Sequence, residues 1–130
     1  MNIYIKLEIE TRELISRLLL GLYSASKGHQ VLIGDDELLK LVQEKKLNPG
    51  IILEKSITPT ELRIKQIEDY KANKSITTSI DEEGGLIREN LDIFLNSRFS
   101  EKTISLADKI FCWGKYDYEK LLTLFPKYKK

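Results

Sequence analysis

The sequence predicts an α/β fold, a Rossmann-like three-layer sandwich around a five-stranded parallel sheet. Three observations carry this. Five short apolar runs recur along the 130 residues. Segments of helical length and helical periodicity separate them, the pattern of repeated strand–helix–strand units. Gly, Pro, Asn, Asp, Ser or Thr marks most junctions, where strands end and helices begin. Right-handed crossovers then leave helices on both faces of the sheet. The expected strand order is 3-2-1-4-5, with its reversal between the first and fourth strands.

The first strand spans Asn2–Leu7, where Ile3, Ile5 and Leu7 alternate with Tyr4 and Lys6. Thr11 is positioned to cap a helix reaching to about Lys27, with Glu13 in its first turn. Leu14, Leu18, Leu22 and Ala25 recur in it at helical spacing, and Ile15, Leu19 and Leu20 widen the stripe. That predicts a helix packed on much of its circumference. Gly21 costs ~1 kcal/mol relative to Ala inside a helix, so close approach to a strand is expected there. Gly28 supplies the stop.

Gln30–Ile33 is a buried strand ending at Gly34. Asp35 or Asp36 caps a helix over Glu37–Lys46, with Leu38, Leu41 and Val42 inward. Asn48-Pro49-Gly50 is a turn. Gly50–Leu53 is the third strand, ending in Glu54-Lys55-Ser56. Thr58 as N-cap puts Pro59 at the first helical position and Glu61 at the third, in a helix carrying Leu62, Ile67 and Tyr70 to about Ala72. Ser75–Ile80 is the fourth strand. A short helix follows over Arg88–Asn96, and Ser100 or Thr103 caps another turn or two. Asp108–Trp113 is the fifth strand, ending at Gly114. Tyr116–Phe125 is the last helix, stopped by Pro126.

Composition excludes several classes. The hydrophobic fraction is 42% and the charged fraction 32%, values of a folded chain rather than a disordered one. The length suits one domain over residues 1–130. With 21 basic and 20 acidic residues the net charge is +1, which gives no electrostatic case for nucleic acid or a membrane surface. One cysteine, Cys112, and one histidine, His29, make an intrachain disulfide impossible and a Cys/His zinc site implausible. Cys112 reads as a small buried hydrophobe. His29 lies at the amino end of the sheet, the wrong edge for catalysis. No run approaches the ~18 apolar residues of a membrane span. Lys6, Glu8 and Glu10 interrupt any signal-peptide pattern, so a cytoplasmic protein is expected.

The candidate site lies where open α/β sheets bind ligands, at the carboxyl ends of the strands. Asp81, Glu82, Glu83, Gly84 and Gly85 follow the fourth strand. Their plain reading is a solvated loop with helix-start acids. Their functional reading is a crevice carboxylate whose pKa is raised by burial and by a like charge, suited to proton abstraction. The two glycines would let the backbone approach a ligand. Glu8, Glu10, Arg12 and Glu13 form a second cluster after the first strand; Arg12 either orients an anionic group or forms a surface pair with a glutamate. Lys55 and Ser56 follow the third strand, and a lysine there can meet phosphate or an acidic sugar. There is no GxGxxG after the first strand, no Walker A loop, no GxSxG elbow and no second histidine. Dinucleotide binding and Ser–His–Asp hydrolysis are therefore set aside.

A series of segments resembles a known family. It runs Ile3-Tyr4-Ile5-Lys6-Leu7-Glu8-Ile9-Glu10, Arg12-Glu13-Leu14 and Leu18-Leu19-Leu20. It continues through Gly28-His29-Gln30-Val31-Leu32-Ile33-Gly34-Asp35 and Gly50-Ile51-Ile52-Leu53-Glu54-Lys55-Ser56. It closes with Asp81-Glu82-Glu83-Gly84, Ala107-Asp108 and Cys112-Trp113-Gly114. In order and spacing this resembles the bacterial surface carbohydrate biosynthesis proteins, which look like two-domain GT-B glycosyltransferases. Gly85 departs from the apolar residue expected there.

The resemblance implies a Rossmann-like N-terminal half that carries the acceptor side, with the nucleotide-sugar donor bound by a second domain. It implies Glu82 or Glu83 as the carboxylate facing the sugar, Gly84 shaping the loop, and Lys55, Ser56, Glu8 and Arg12 lining the acceptor side. GT-B enzymes generally need no bound metal, and no cofactor is expected. The expectation is thus an acceptor-side domain in surface polysaccharide biosynthesis, inactive by itself, with a carbohydrate acceptor as partner. The alternative is a non-enzymatic α/β module that binds a sugar, a nucleotide or a protein. A small carboxylate-based enzyme is a third reading, although no nucleophile–base constellation is visible. An apolar face left open by a missing partner domain would favour a homo-oligomer.

Overall fold

The computed structural model describes residues 1–81, 83 and 90–128. Its elements run β1 (Asn2–Lys6), α1 (Glu10–Ser26), β2 (Gln30–Gly34), α2 (Asp36–Gln43), β3 (Gly50–Glu54), α3 (Glu61–Ala72) and β4 (Ile76–Ile80). Then come α4 (Leu91–Arg98), α5 (Glu101–Leu106), β5 (Lys109–Phe111) and α6 (Lys115–Leu124), with a final 3-10 turn at Pro126–Tyr128. The strands form one parallel sheet. This is the expected α/β, Rossmann-like architecture.

The strand order is 2-1-3-4-5, not 3-2-1-4-5. The third strand lies beside the first because its start is built for that neighbour. Gly50 pairs with Asn2, and a Cβ at Gly50 would run into the Asn2 backbone carbonyl. The preceding turn is tied to the same strand: the Tyr4 hydroxyl donates to the Asn48 carbonyl at 2.6 Å, and Asn2 Nδ2 to the Pro49 carbonyl at 3.4 Å. Helix α2, eight residues long, crosses over β1 to deliver the chain from β2 to β3. The reversal therefore falls between β1 and β3.

Side chains alternate across a strand, so the register assigns the two faces. Tyr4, Leu32 and Ile52 share one face and pack with Leu39 and Val42 of α2 and Tyr70 of α3. On the same side Ile67 of α3 meets Leu95, Phe99, Ile104, Leu121 and Phe125, with Ile110 of β5 against them. The opposite face carries Val31 and Ile33, which receive α1: a Cβ at Gly21 would stand 3.0 Å from Ile33 Cδ1. The close approach expected at Gly21 is the one observed.

Several local expectations are corrected. Helix α1 starts at Glu10 with Ile9 as N-cap and no side-chain cap. Thr11 is exposed. Its buried positions are Glu13, Arg17, Gly21 and Ser24, whereas Ile15, Leu18, Leu19, Leu20 and Leu22 face solvent. The apolar stripe is the outer face, because the small residues at 21 and 24 are what bring the helix against the sheet. In α2 Leu39 and Val42 are the buried pair and Leu41 is exposed. Helix α3 is capped by Thr60, whose hydroxyl accepts from the Arg63 N–H at 3.2 Å, and Leu62 is exposed. Thr58 instead donates to the Ser56 hydroxyl at 3.2 Å. Ser100 and Thr103 form a reciprocal capping box on α5. Cys112 is half-buried.

Candidate functional site

The reversal between β1 and β3 opens at their carboxyl ends, and the charged residues expected there converge. The Lys55 ammonium, after β3, stands 2.8 Å from Glu8 Oε2, after β1, and 3.8 Å from Glu13 Oε1 on α1. Arg12 donates to the same Glu13 oxygen at 3.1 Å. Glu8 and Arg12 are about half exposed, at 48% and 46%, so the cluster reaches solvent. Ser56 is buried and turned toward Thr58. Glu10 is exposed.

Glu13, expected in the cluster beside Glu8, Glu10 and Arg12, organises this crest. It is fully buried. Its Oε2 accepts the Glu8 N–H at 2.8 Å, so its carboxylate provides an acceptor that a cap side chain would otherwise supply to the loop entering α1. Burial pushes the carboxyl up. The backbone hydrogen bonds of Glu8 and Ile9, the Arg12 guanidinium and the Lys55 charge outweigh that, and hold it below the ordinary range. The available signal was its spacing: Glu13, Arg17, Gly21 and Ser24 form a helical stripe of their own, with Gly at its centre.

A second buried network lies beneath. Glu54, the last residue of β3, is fully buried. Its Oε1 accepts from Arg63 at 2.8 Å and from the Tyr70 hydroxyl at 3.1 Å. Burial raises the Glu54 carboxyl despite Arg63, Lys6 and Tyr70, and raises the Tyr70 hydroxyl in turn, together with the Glu54 charge. Lys6 is buried beside it and reaches the exposed Asp36 at 2.6 Å. Glu54 was legible only as a strand-end acid. Its place two residues after Ile52 puts it on the α3 face, where a carboxylate must be paired.

The acidic segment after β4 behaves differently. Asp81 is buried. Its Oδ2 accepts from Arg98 Nε at 2.7 Å, and its Oδ1 from Arg98 at 3.1 Å and from the Glu83 N–H at 2.9 Å. The Trp113 indole N–H donates to the Asp81 carbonyl. Asp81, expected to meet substrate, here fastens α4 and the end of β5 to the sheet. A cavity of about 20 Å³ beside it, lined by Phe94, Leu95 and Trp113 among others, has room for one water. Glu83 is exposed. Glu82, Gly84 and Gly85 lie outside the described residues.

A roomier groove of about 460 Å³ opens beside β5, lined by Asp108, Lys109, Tyr118 and Leu122 among others. It sits at the amino end of that strand, away from the charged crest. Among the described residues no group of three or more His, Cys, Asp or Glu could hold a metal ion, and no helix is long and apolar enough to cross a membrane. Comparison with protein-family models, with curated proteins and with solved structures finds no match to this chain.

Proposed function

We propose that this chain is the acceptor-side domain of a glycosyltransferase-like protein in surface polysaccharide biosynthesis, working in the cytoplasm and holding a carbohydrate at the crest above β1 and β3. The observation that supports this is the Lys55 cluster. A lysine ammonium has three donors. Glu8 takes one at 2.8 Å, while Glu13 at 3.8 Å lies beyond hydrogen-bond range. Half-exposed Glu8 and Arg12 flank it, so carboxylate acceptors and cationic donors stand together. Charge-assisted hydrogen bonds of this kind suit sugar hydroxyls and the carboxylate of an acidic sugar. In this reading Glu82 or Glu83 faces the sugar as the catalytic carboxylate, and the nucleotide-sugar donor is bound by a second domain. The chain by itself does not turn over.

The test is amide NMR mapping with a neutral hexose, an N-acetylhexosamine and an acidic monosaccharide. Shifts at Glu8, Arg12 and Lys55, lost in Lys55→Met, are the expected result. Shifts confined to other regions, or none with any of the three sugars, would overturn it.

A second reading has one observation in its favour. Because the reversal lies at β1 and β3, the strand leading into Asp81, Glu82 and Glu83 is one further along. A non-enzymatic module that binds a sugar, nucleotide or protein at the crest needs no contribution from those acids. Glu82→Gln and Glu83→Gln variants that bind sugar like the wild type, with no transfer by the wild type or either variant when a donor domain is supplied, would favour it.

A further inference from the structure

We propose that the amino edge of the sheet is a docking surface for an anionic phospholipid bilayer. In a parallel sheet every strand starts at one edge, and the crossover helices end there. The turns at that edge carry lysines. Lys27 follows α1, Lys45 and Lys46 follow α2, Lys74 follows α3 and Lys109 opens β5. All five are exposed. The acids nearest them are already engaged: Glu44 by Lys46, Asp69 by Lys65, and Asp108 by the Thr77 N–H. Lys27, Lys45, Lys74 and Lys109 have no ion-pair partner among the described residues. The carboxyl edge is mainly acidic, with Glu8, Glu10, Asp35, Asp36, Glu37 and Glu61 exposed. The net charge of +1 thus sums two unlike edges.

Two of these lysines stand where glycine is the favoured residue. Lys45 and Lys74 take φ of 59° and 60°, the left-handed region just past a helix end. A side chain there costs more than glycine does, and what it adds is charge at this edge. Neighbouring strands lie about 4.8 Å apart, so the row from β2 to β5 extends over roughly 20 Å. A broad front of cations matches a planar anionic surface. Apolar side chains stand among the lysines: Leu22 and Tyr23 near the end of α1 are 67% and 64% exposed, and Ile76 at the start of β4 is 45% exposed. The Lys27 ammonium lies 5.4 Å from the centre of the Tyr23 ring. That mixture suits the boundary between headgroups and acyl chains. Nucleic-acid surfaces draw on arginine, and none occurs in these turns. A chain docked this way holds its carboxyl edge away from the bilayer, and the docking does not depend on carbohydrate binding.

Co-sedimentation of the full chain with lipid vesicles tests this. Vesicles of phosphatidylcholine and phosphatidylglycerol in equal parts are expected to bind it, and vesicles of phosphatidylcholine alone are not. Binding is expected to fall as salt rises. Lys45→Asn and Lys74→Asn remove charge, and asparagine tolerates the left-handed backbone. Each is expected to weaken binding about fivefold. Glu37→Gln, at the carboxyl edge, is expected to leave it unchanged. A chain that ignores the anionic vesicles, that binds both kinds equally, or that binds as well with both lysines replaced would overturn the proposal. Tighter binding to a mixed-sequence RNA duplex than to the anionic vesicles, at the same salt and phosphate concentration, would also overturn it and give the edge to nucleic acid.

Discussion

Two charged clusters stand at the carboxyl edge of one sheet and use similar chemistry to different ends. Above β1 and β3, Lys55 and Arg12 surround Glu13 while Glu8 and Arg12 remain half exposed. After β4, Asp81 is closed off by a two-pronged Arg98 and by backbone and indole donors. The difference is the number of donors left over. A planar guanidinium set on both carboxylate oxygens fixes geometry. A lysine with one close partner keeps donors for something else. Residue type at a strand end therefore does not separate a fastening from a binding site; the exposure of the flanking Glu8 and Arg12, and the unspent donors of a lysine that is itself only 14% exposed, do.

Breaking the closed cluster should have the largest effect on stability. Arg98→Ala leaves Asp81 buried without its cation, and is expected to cost about 3 kcal/mol, read as a lowered urea midpoint at unchanged slope. Lys55→Met should separate the two roles: sugar binding falls at least tenfold, while stability falls less than in Arg98→Ala, because Arg12 and the Glu8 and Ile9 backbone hydrogen bonds still hold the Glu13 carboxylate. A stability loss as large as that of Arg98→Ala would make Lys55 a second fastening.

Acid should sharpen the contrast further. The Glu13 carboxyl is held below its usual range in the folded protein. Its contribution is thus present above the unfolded value near 4.5 and is lost as pH falls through the folded one. Glu54 has the opposite sign. Its raised carboxyl favours the fold at low pH, and that contribution declines as pH rises above the unfolded value near 4.5. The stability difference between wild type and Glu13→Gln isolates the first effect, and should shrink as the solution is taken below pH 4.5. The smallest effect is expected for Arg12→Ala, about 0.5 kcal/mol or less, since half of that side chain is in water.

The sequence made the architecture legible because strand and helix lengths and turn residues agree, and two caps, Asp35 and Ser100, stand where expected while Thr11 and Thr58 do not cap. The strand order was not legible. It hangs on Gly50 meeting the Asn2 carbonyl and on Tyr4 reaching Asn48, contacts between residues 48 and 44 apart. Helical periodicity located α1 but not its orientation: the leucine stripe was read as the core-facing side, and the observed core-facing side is Glu13, Arg17, Gly21 and Ser24. Periodicity reports that an apolar face exists and not what covers it. Glu8, Arg12 and Lys55 were legible because they end strands or begin a helix. Glu13 was legible as a member of that cluster but its burial was not, and Glu54 was legible only as a strand-end acid, because burial belongs to the neighbours each acid meets across the sheet.

Calorimetric titration of an acidic monosaccharide into the wild type, Lys55→Met and Asp81→Asn tests the central distinction most directly. The account predicts binding by the wild type and by whatever fraction of Asp81→Asn remains folded, and little or none by folded Lys55→Met. Equal binding by the wild type and Lys55→Met, with loss only in folded Asp81→Asn, would contradict it and move the site to the end of β4.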